Sequence, residues 1–107
     1  MKAEEIKDMA IEALDELKGA NITVLDVRGR SSITDYMIIV NGTSDRHVRS
    51  LADKVVEKAK ASGLMPLGVE DGRGVSGWVL VDLVDVVVHV MRPDVREFYN
   101  LEKLWSV

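Results

Sequence analysis

Residues 36–49, Tyr36-Met-Ile-Ile-Val-Asn-Gly-Thr-Ser-Asp-Arg-His-Val-Arg49, carry an apolar run through a glycine turn and into a helical pattern. Tyr36 to Val40 has the length and β-branched character of a strand, and Asn41-Gly42-Thr43 turns the chain. Beyond the turn, Val48, Leu51, Ala52, Val55, Val56 and Ala59 recur at helical spacing, and Gly63 closes the helix. A strand that feeds a helix through so short a turn is a unit of a layered α/β fold. It also poses a chemical question, because the free N–H groups and positive dipole end of a helix N-terminus attract anions. The plainer role is a cap: Thr43 or Ser44 accepts a hydrogen bond from an N–H further on, and Asp45 suits the first-turn dipole. Arg46, His47 and Arg49 run against that dipole, so Thr43, Ser44 and Arg46 stand as the weaker, anion-binding candidates.

Outward from this stretch the chain alternates helix and strand. Ile6, Ala10, Ala13, Leu14 and Leu17 form the apolar stripe of an N-terminal helix, with Gly19 as its stop. Ile22 to Val27 reads as a strand ended by Arg28-Gly29-Arg30-Ser31-Ser32, and Met65 to Val69 as a short one. Trp78 to Asp82 and Val86 to Met91 are two more, after which Pro93 opens a helical tail ending in Leu101, Leu104 and Trp105. The expected architecture is a single α/β domain over residues 1–107, with a five-stranded sheet and helices beside it.

Composition narrows the partners. The chain has 107 residues, 47% hydrophobic and 30% charged, and its formal charge of −4 argues against the basic face that binding nucleic-acid phosphates requires. A basic protein is the better-matched partner, and no direct sequence-specific nucleic acid contact is expected. Without cysteine there is no disulfide framework and no thiolate metal site, which agrees with a reducing compartment. The acids scattered through residues 1–19 are unlike a signal or transit peptide, and no apolar run approaches the roughly 20 residues of a membrane helix. A soluble, cytoplasmic protein without a membrane partner is expected.

Two further stretches carry candidate chemistry. Gly72-Arg-Gly-Val-Ser-Gly77 matches G-x-G-x-x-G, but it opens a strand where a dinucleotide fingerprint must open a helix, so no cofactor is expected. Trp78-Val-Leu-Val-Asp-Leu-Val-Asp-Val-Val-Val-His-Val-Met91 reads as a hairpin with Leu83-Val84 at its tip. That register sets Asp82 opposite Asp85, Leu80 opposite Val87 and Trp78 opposite His89. Val79, Val81, Val86, Val88 and Val90 then share one apolar face toward the helices. The other face presents Trp78, Leu80, Val87, His89 and Met91 above an acidic rim of Asp82 and Asp85, the anatomy of a protein-binding surface. The C-terminal segment is expected to cover part of it. Asp82 and Asp85, three apart, lack the alternate spacing that would aim two metal-binding carboxylates to one side of a strand, and no nucleophile–base pair or metal site assembles elsewhere.

Several ordered motifs together resemble one family. Leu25-Asp-Val-Arg-Gly29, Ser31-Ser-Ile-Thr-Asp-Tyr36, Gly42-Thr-Ser44 with Arg46-His47, Gly77-Trp-Val-Leu-Val-Asp82, Asp85-Val-Val-Val-His-Val-Met91 and the tail from Arg96 to Trp105 are similar to the Iojap (RsfS) family of ribosomal silencing factors. The resemblance spans nearly the whole chain. It implies a mixed five-stranded sheet flanked by helices, nucleotidyltransferase-like but without catalytic carboxylates. It also implies a non-enzymatic repressor that binds the large ribosomal subunit through ribosomal protein fourteen and blocks joining of the small subunit. Carried over with Trp78, Asp82, Asp85 and His89 are Thr34, Asp35 and Tyr36, as contact or contact-supporting positions. Where the family often has Gly at the hairpin tip, this chain has Val84. The alternative class is a nucleotidyl- or phosphoryl-transfer enzyme using Gly42-Thr43-Ser44 and the aspartates, or a nucleotide-sensing regulator that uses the same helix N-terminus without chemistry. An apolar patch left open would also favour a homodimer of the free chain.

Overall fold

Six consecutive residues, Tyr36–Asn41, are all buried, the mark of a strand covered on both faces. This strand, β2, lies inside a five-stranded sheet in the computed structural model, which describes residues 1–105 apart from the side chain of Arg73. Along the chain come α1 (Ala3–Glu16), β1 (Ala20–Asp26), β2, α2 (Asp45–Ala61), β3 (Gly68–Asp71), a 3₁₀ turn (Gly72–Gly74), β4 (Trp78–Asp82), β5 (Val86–Met91), α3 (Pro93–Tyr99) and α4 (Leu101–Trp105). The strand order is β1-β2-β5-β4-β3, with β2 and β5 parallel and the other neighbours antiparallel. The expected mixed α/β sheet is therefore observed.

The two faces of the sheet are covered unequally. On one, Ile6, Ala10, Ala13 and Leu14 of α1 and Val48, Leu51, Val55 and Ala59 of α2 meet Ile38, Val40, Val79, Val81, Val86, Val88 and Val90 in the main core. On the other, Val95, Tyr99, Leu101 and Trp105 of the tail pack over Met37, Ile39, Trp78 and Met91 in a smaller second core. Arg96 fastens the tail: its guanidinium donates to the Asn21 carbonyl (2.7 Å), Asn41 Oδ1 (2.9 Å), Thr23 Oγ1 (2.8 Å) and Glu102 Oε1 (2.7 Å). That bond holds the Glu102 carboxyl below its usual range.

Three details depart from the expected boundaries. The stop of α1 sits one residue early: Lys18 takes the left-handed conformation (φ 60°), while Gly19 donates to the Leu14 carbonyl at 2.8 Å. Gly19 is needed for space, since a Cβ there would lie 2.7 Å from Val40 Cγ2. The third strand is not Met65–Val69 but Gly68–Asp71. Pro66 has no N–H for a ladder, and the chain first reaches β4 where the Leu67 N–H donates to the Asp82 carbonyl. The tail, read as one helix, breaks in two at Asn100, whose φ is 46°.

The hairpin tip is the largest correction. Asp82 pairs with Val87, Leu80 with His89 and Trp78 with Met91, and the turn residues are Val84-Asp85. Leu83 is therefore not at the tip; it is 1% exposed in the main core, and that burial outweighs the awkward turn. The Asp85 N–H donates back to the Leu83 carbonyl, a tight three-residue turn that puts Val84 at φ 73°. Asp82 Oδ1 accepts from the Val84 N–H at 2.8 Å and steadies it. Because each partner moved by two positions, every side chain keeps its expected face. A β-branched residue at positive φ is strained, so Val84→Gly is expected to stabilise the fold by about 1 kcal/mol, read as a raised urea midpoint. An unchanged or lowered midpoint would show the turn unstrained.

Candidate functional site

Strand register stacks the tail-side face into layers across the sheet. One layer runs Leu25, Met37, Val87, Asp82, Gly68, the next Thr23, Ile39, His89, Leu80, Glu70, and a third Asn41, Met91, Trp78. The tail covers the third layer. Trp78 is 4% and His89 6% exposed, so the expectation of an open, tryptophan-bearing anchor is corrected: Trp78 belongs to the second core and His89 is buried beside it. The cause is the tail, whose Tyr99 ring stands 4.9 Å from the indole, while Gly72 packs so closely on the other side that a Cβ would lie 2.2 Å from it.

Trp78 and His89 form a buried polar pair. The indole N–H donates to His89 Nδ1 at 3.0 Å. Since an indole nitrogen can only donate, Nδ1 accepts and the imidazole carries its single proton on Nε2. Burial pushes the His89 pKa down to about 4. The pair is thus a neutral, satisfied element of the packing.

What remains open is the end of the face beside the hairpin tip. Leu80, Val87, Asp82, Asp85 and Asp35 are half-buried there, and Val84 is exposed. The Asp85 carbonyl accepts from the Asp35 and Tyr36 N–H groups, which ties the acidic loop before β2 to the tip. Among the described residues, Asp35, Glu70, Asp82 and Asp85 make no ion pair, whereas acids on the helical side, such as Glu12, Glu16 and Glu57, pair with Lys54 or Lys58. Thr34 and Tyr36 do not join this surface: Tyr36 points into the main core between the cations of Lys7 and Arg28, and buried Thr34 donates from Oγ1 to the Tyr36 carbonyl. Glu70 and the exposed Leu67 were missed, because the third strand was placed three residues too early. The proline at 66 was the available signal.

At the α2 N-terminus the cap is in place. Ser44 Oγ accepts from the His47 N–H at 3.1 Å. The Thr43 N–H donates to His47 Nδ1 at 2.9 Å, which leaves Nε2–H to donate to the Leu17 carbonyl at the end of α1 (2.7 Å). His47 therefore stitches one helix end to another. Gly42 is needed because a Cβ would lie 2.7 to 3.0 Å from Val48, including its backbone. The Thr43 and Ser44 groups named as anion ligands are thus spent on the cap, and Arg46 is exposed beside them. The glycine loop folds near this helix end around a cavity of about 320 Å³ lined by Asp45, Arg49, Asp71 and Ser76. Its charges are matched: Asp45 bonds Arg92 and Ser76, and Asp71 bonds Arg49. Among the described residues no cluster of three or more histidines and acids is placed to hold a metal.

Comparison with known proteins fits this geometry. The family model for the ribosomal silencing factor during starvation matches residues 1–107. The ribosomal silencing factor RsfS of Haemophilus influenzae is 48% identical over 99 residues, covering 92% of this chain and 96% of that one. The mouse protein named "Mitochondrial assembly of ribosomal large subunit protein 1" is 33% identical over 102 residues, which cover 94% of this chain and 45% of that protein. A crystal structure from Chromobacterium violaceum superposes with a TM-score of 0.92 at 46% identity, covering 98% of this chain and 87% of the other. The motifs, the sheet order and these matches together show that the chain belongs to the RsfS family of ribosomal silencing factors.

Proposed function

We propose that this chain is a non-enzymatic repressor that binds the large ribosomal subunit through ribosomal protein fourteen and blocks association with the small subunit. The contact surface is the open end of the tail-side face: Leu80 and Val87 as its apolar floor, Asp82, Asp85 and Asp35 as its rim. Trp78 and His89, packed beside it under the tail, and Thr34 and Tyr36, buried behind its rim, are the supporting positions. The observation that carries the proposal is the set of carboxylates left without ion pairs around half-buried apolar residues, on a member of a family named for ribosome silencing. Such a border steers a basic partner toward a patch whose desolvation supplies the affinity. The name of the mouse relative points to the large subunit. Occlusion needs no catalytic group and no cofactor, and a ribosomal partner sets its work in the cytoplasm. The same patch gives the free chain a surface for a homodimer.

Co-sedimentation with purified large subunits, paired with a subunit-joining assay, tests this. The protein is expected to pellet with large subunits at micromolar concentration and to lower joining. Asp85→Lys, whose carboxylate bonds nothing among the described residues, is expected to weaken binding about tenfold. No binding at micromolar protein removes the proposal. Heat on mixing with nucleoside triphosphate and magnesium would favour the transfer-enzyme alternative instead.

A further inference from the structure

The sheet has two edge strands, and they are defended differently. At β1 the register breaks between Ala20 and Thr23, and Asn21 has φ 51°. The Arg96 guanidinium already occupies the Asn21 carbonyl and the Thr23 hydroxyl. A bulge and a side-chain clamp of this kind are how native sheets stop further strands from adding. At β3 neither is present. Gly68↔Asp82, Val69↔Val81, Glu70↔Leu80 and Asp71↔Val79 pair without interruption, all four β3 residues are exposed, and among the described residues no side chain bonds their outward backbone groups. The segment contains no Pro, Lys or Arg.

We propose that the free edge of β3 is a docking site for an extended, basic segment of a partner protein, which adds to the sheet as a further strand. Main-chain hydrogen bonds give such additions their affinity, and alternate side chains give them register. The charges choose the occupant. A second copy of this chain is disfavoured, because antiparallel pairing of two β3 strands brings Glu70 and Asp71 of each against those of the other. A cationic strand is favoured. Glu70 makes no ion pair among the described residues and shares its face with Asp82, so a Lys or Arg on an added strand would sit beside both. On the opposite face Asp71 is held by Arg49, and Val69, 41% exposed, suits a small aliphatic neighbour. Leu67, 72% exposed, continues the line just before β3 and offers further apolar contact. The favoured segment alternates basic and β-branched residues. This site lies on the backbone edge rather than the sheet face, and it stands or falls apart from ribosome binding.

The test uses the full chain and a short capped peptide of alternating lysine and valine, followed by amide hydrogen exchange and chemical-shift mapping. Added peptide is expected to slow exchange at alternate amides of Gly68–Asp71 by about tenfold or more, equivalent to roughly 1.4 kcal/mol. Backbone N-methylation of the peptide on its pairing edge, or Glu70→Lys in the protein, is expected to abolish that protection. Protection equally strong with the N-methylated peptide, shifts that map to β1 or to the sheet face, or no slowing at β3 would each overturn the proposal. A peptide with glutamate in place of lysine that binds equally well would overturn the assignment of a basic partner.

Discussion

Trp78→Ala is expected to destabilise the fold by about 3–5 kcal/mol, the range for emptying a large aromatic from a core. The indole touches Tyr99 of the tail and donates to His89, so its removal leaves a cavity, an acceptor without its donor and a tail short of one of its apolar contacts. Since domains of this size are stable by only about 5–15 kcal/mol, much of the margin disappears, and the urea midpoint should drop accordingly. Trp78→Phe is the informative companion: it keeps most of the apolar contact and loses the N–H, so its loss should be clearly smaller. If alanine leaves the midpoint unchanged and only weakens partner binding, the tail does not seal this residue in solution. The consequence for design is direct. Ribosome-binding tests should alter Leu80, Val87 or Asp85, since a change at Trp78 reads folding first.

The second large effect is on acid stability. The folded-state pKa of His89 is pushed by burial from the ordinary 6.5 down to about 4. Between those values the unfolded chain binds a proton that the folded chain refuses, so stability rises with pH across this window and falls on acidification. The loss begins as pH drops through 6.5 and is complete once pH passes below about 4, where both states are protonated. Its full size is roughly 3 kcal/mol. The lowered carboxylates of Asp26, Asp94 and Glu16 work in a different window. Their contribution is present above the unfolded carboxylate range and fades below it, and solvent screens these exposed groups. His89→Gln keeps an acceptor for the indole and removes the titration. Urea midpoints measured from pH 7 to pH 4 should therefore slope less in this variant than in the parent, and parallel slopes would refute the assignment to His89.

Periodicity made most of the architecture legible. The buried stripe of α2, that of α1 except for the exposed Leu17, four of the five strands and the two faces of the β4–β5 hairpin follow from spacing alone, because burial imposes the same periods on sequence and structure. Register was less legible. Leu83-Val84 and Val84-Asp85 are equally poor turns by local chemistry, and the choice is made by Leu83 entering a core that local spacing does not describe. The candidate site was half legible for the same reason. Leu80, Val87, Asp82 and Asp85 emerge on the expected face, but only the folded tail shows that Trp78 and His89 lie under it. Tyr36, carried over by family likeness beside Asp35, turns out to point the opposite way, as alternation along a strand requires.

The central strand also sets the order in which the molecule can come into being. Neither β2 nor β4 bonds the other; both lean on β5, the last strand along the chain, and β2 meets it in parallel across the whole intervening sequence. A nascent chain that has not yet released Val86 to Met91 has two separate antiparallel pairs and no continuous sheet. Pairing strands so far apart in sequence costs loop entropy before any contact repays it, so folding slower than that of a helical bundle of this size is expected. Val86 to Met91 must therefore be released before the two halves can join and the face they share can form.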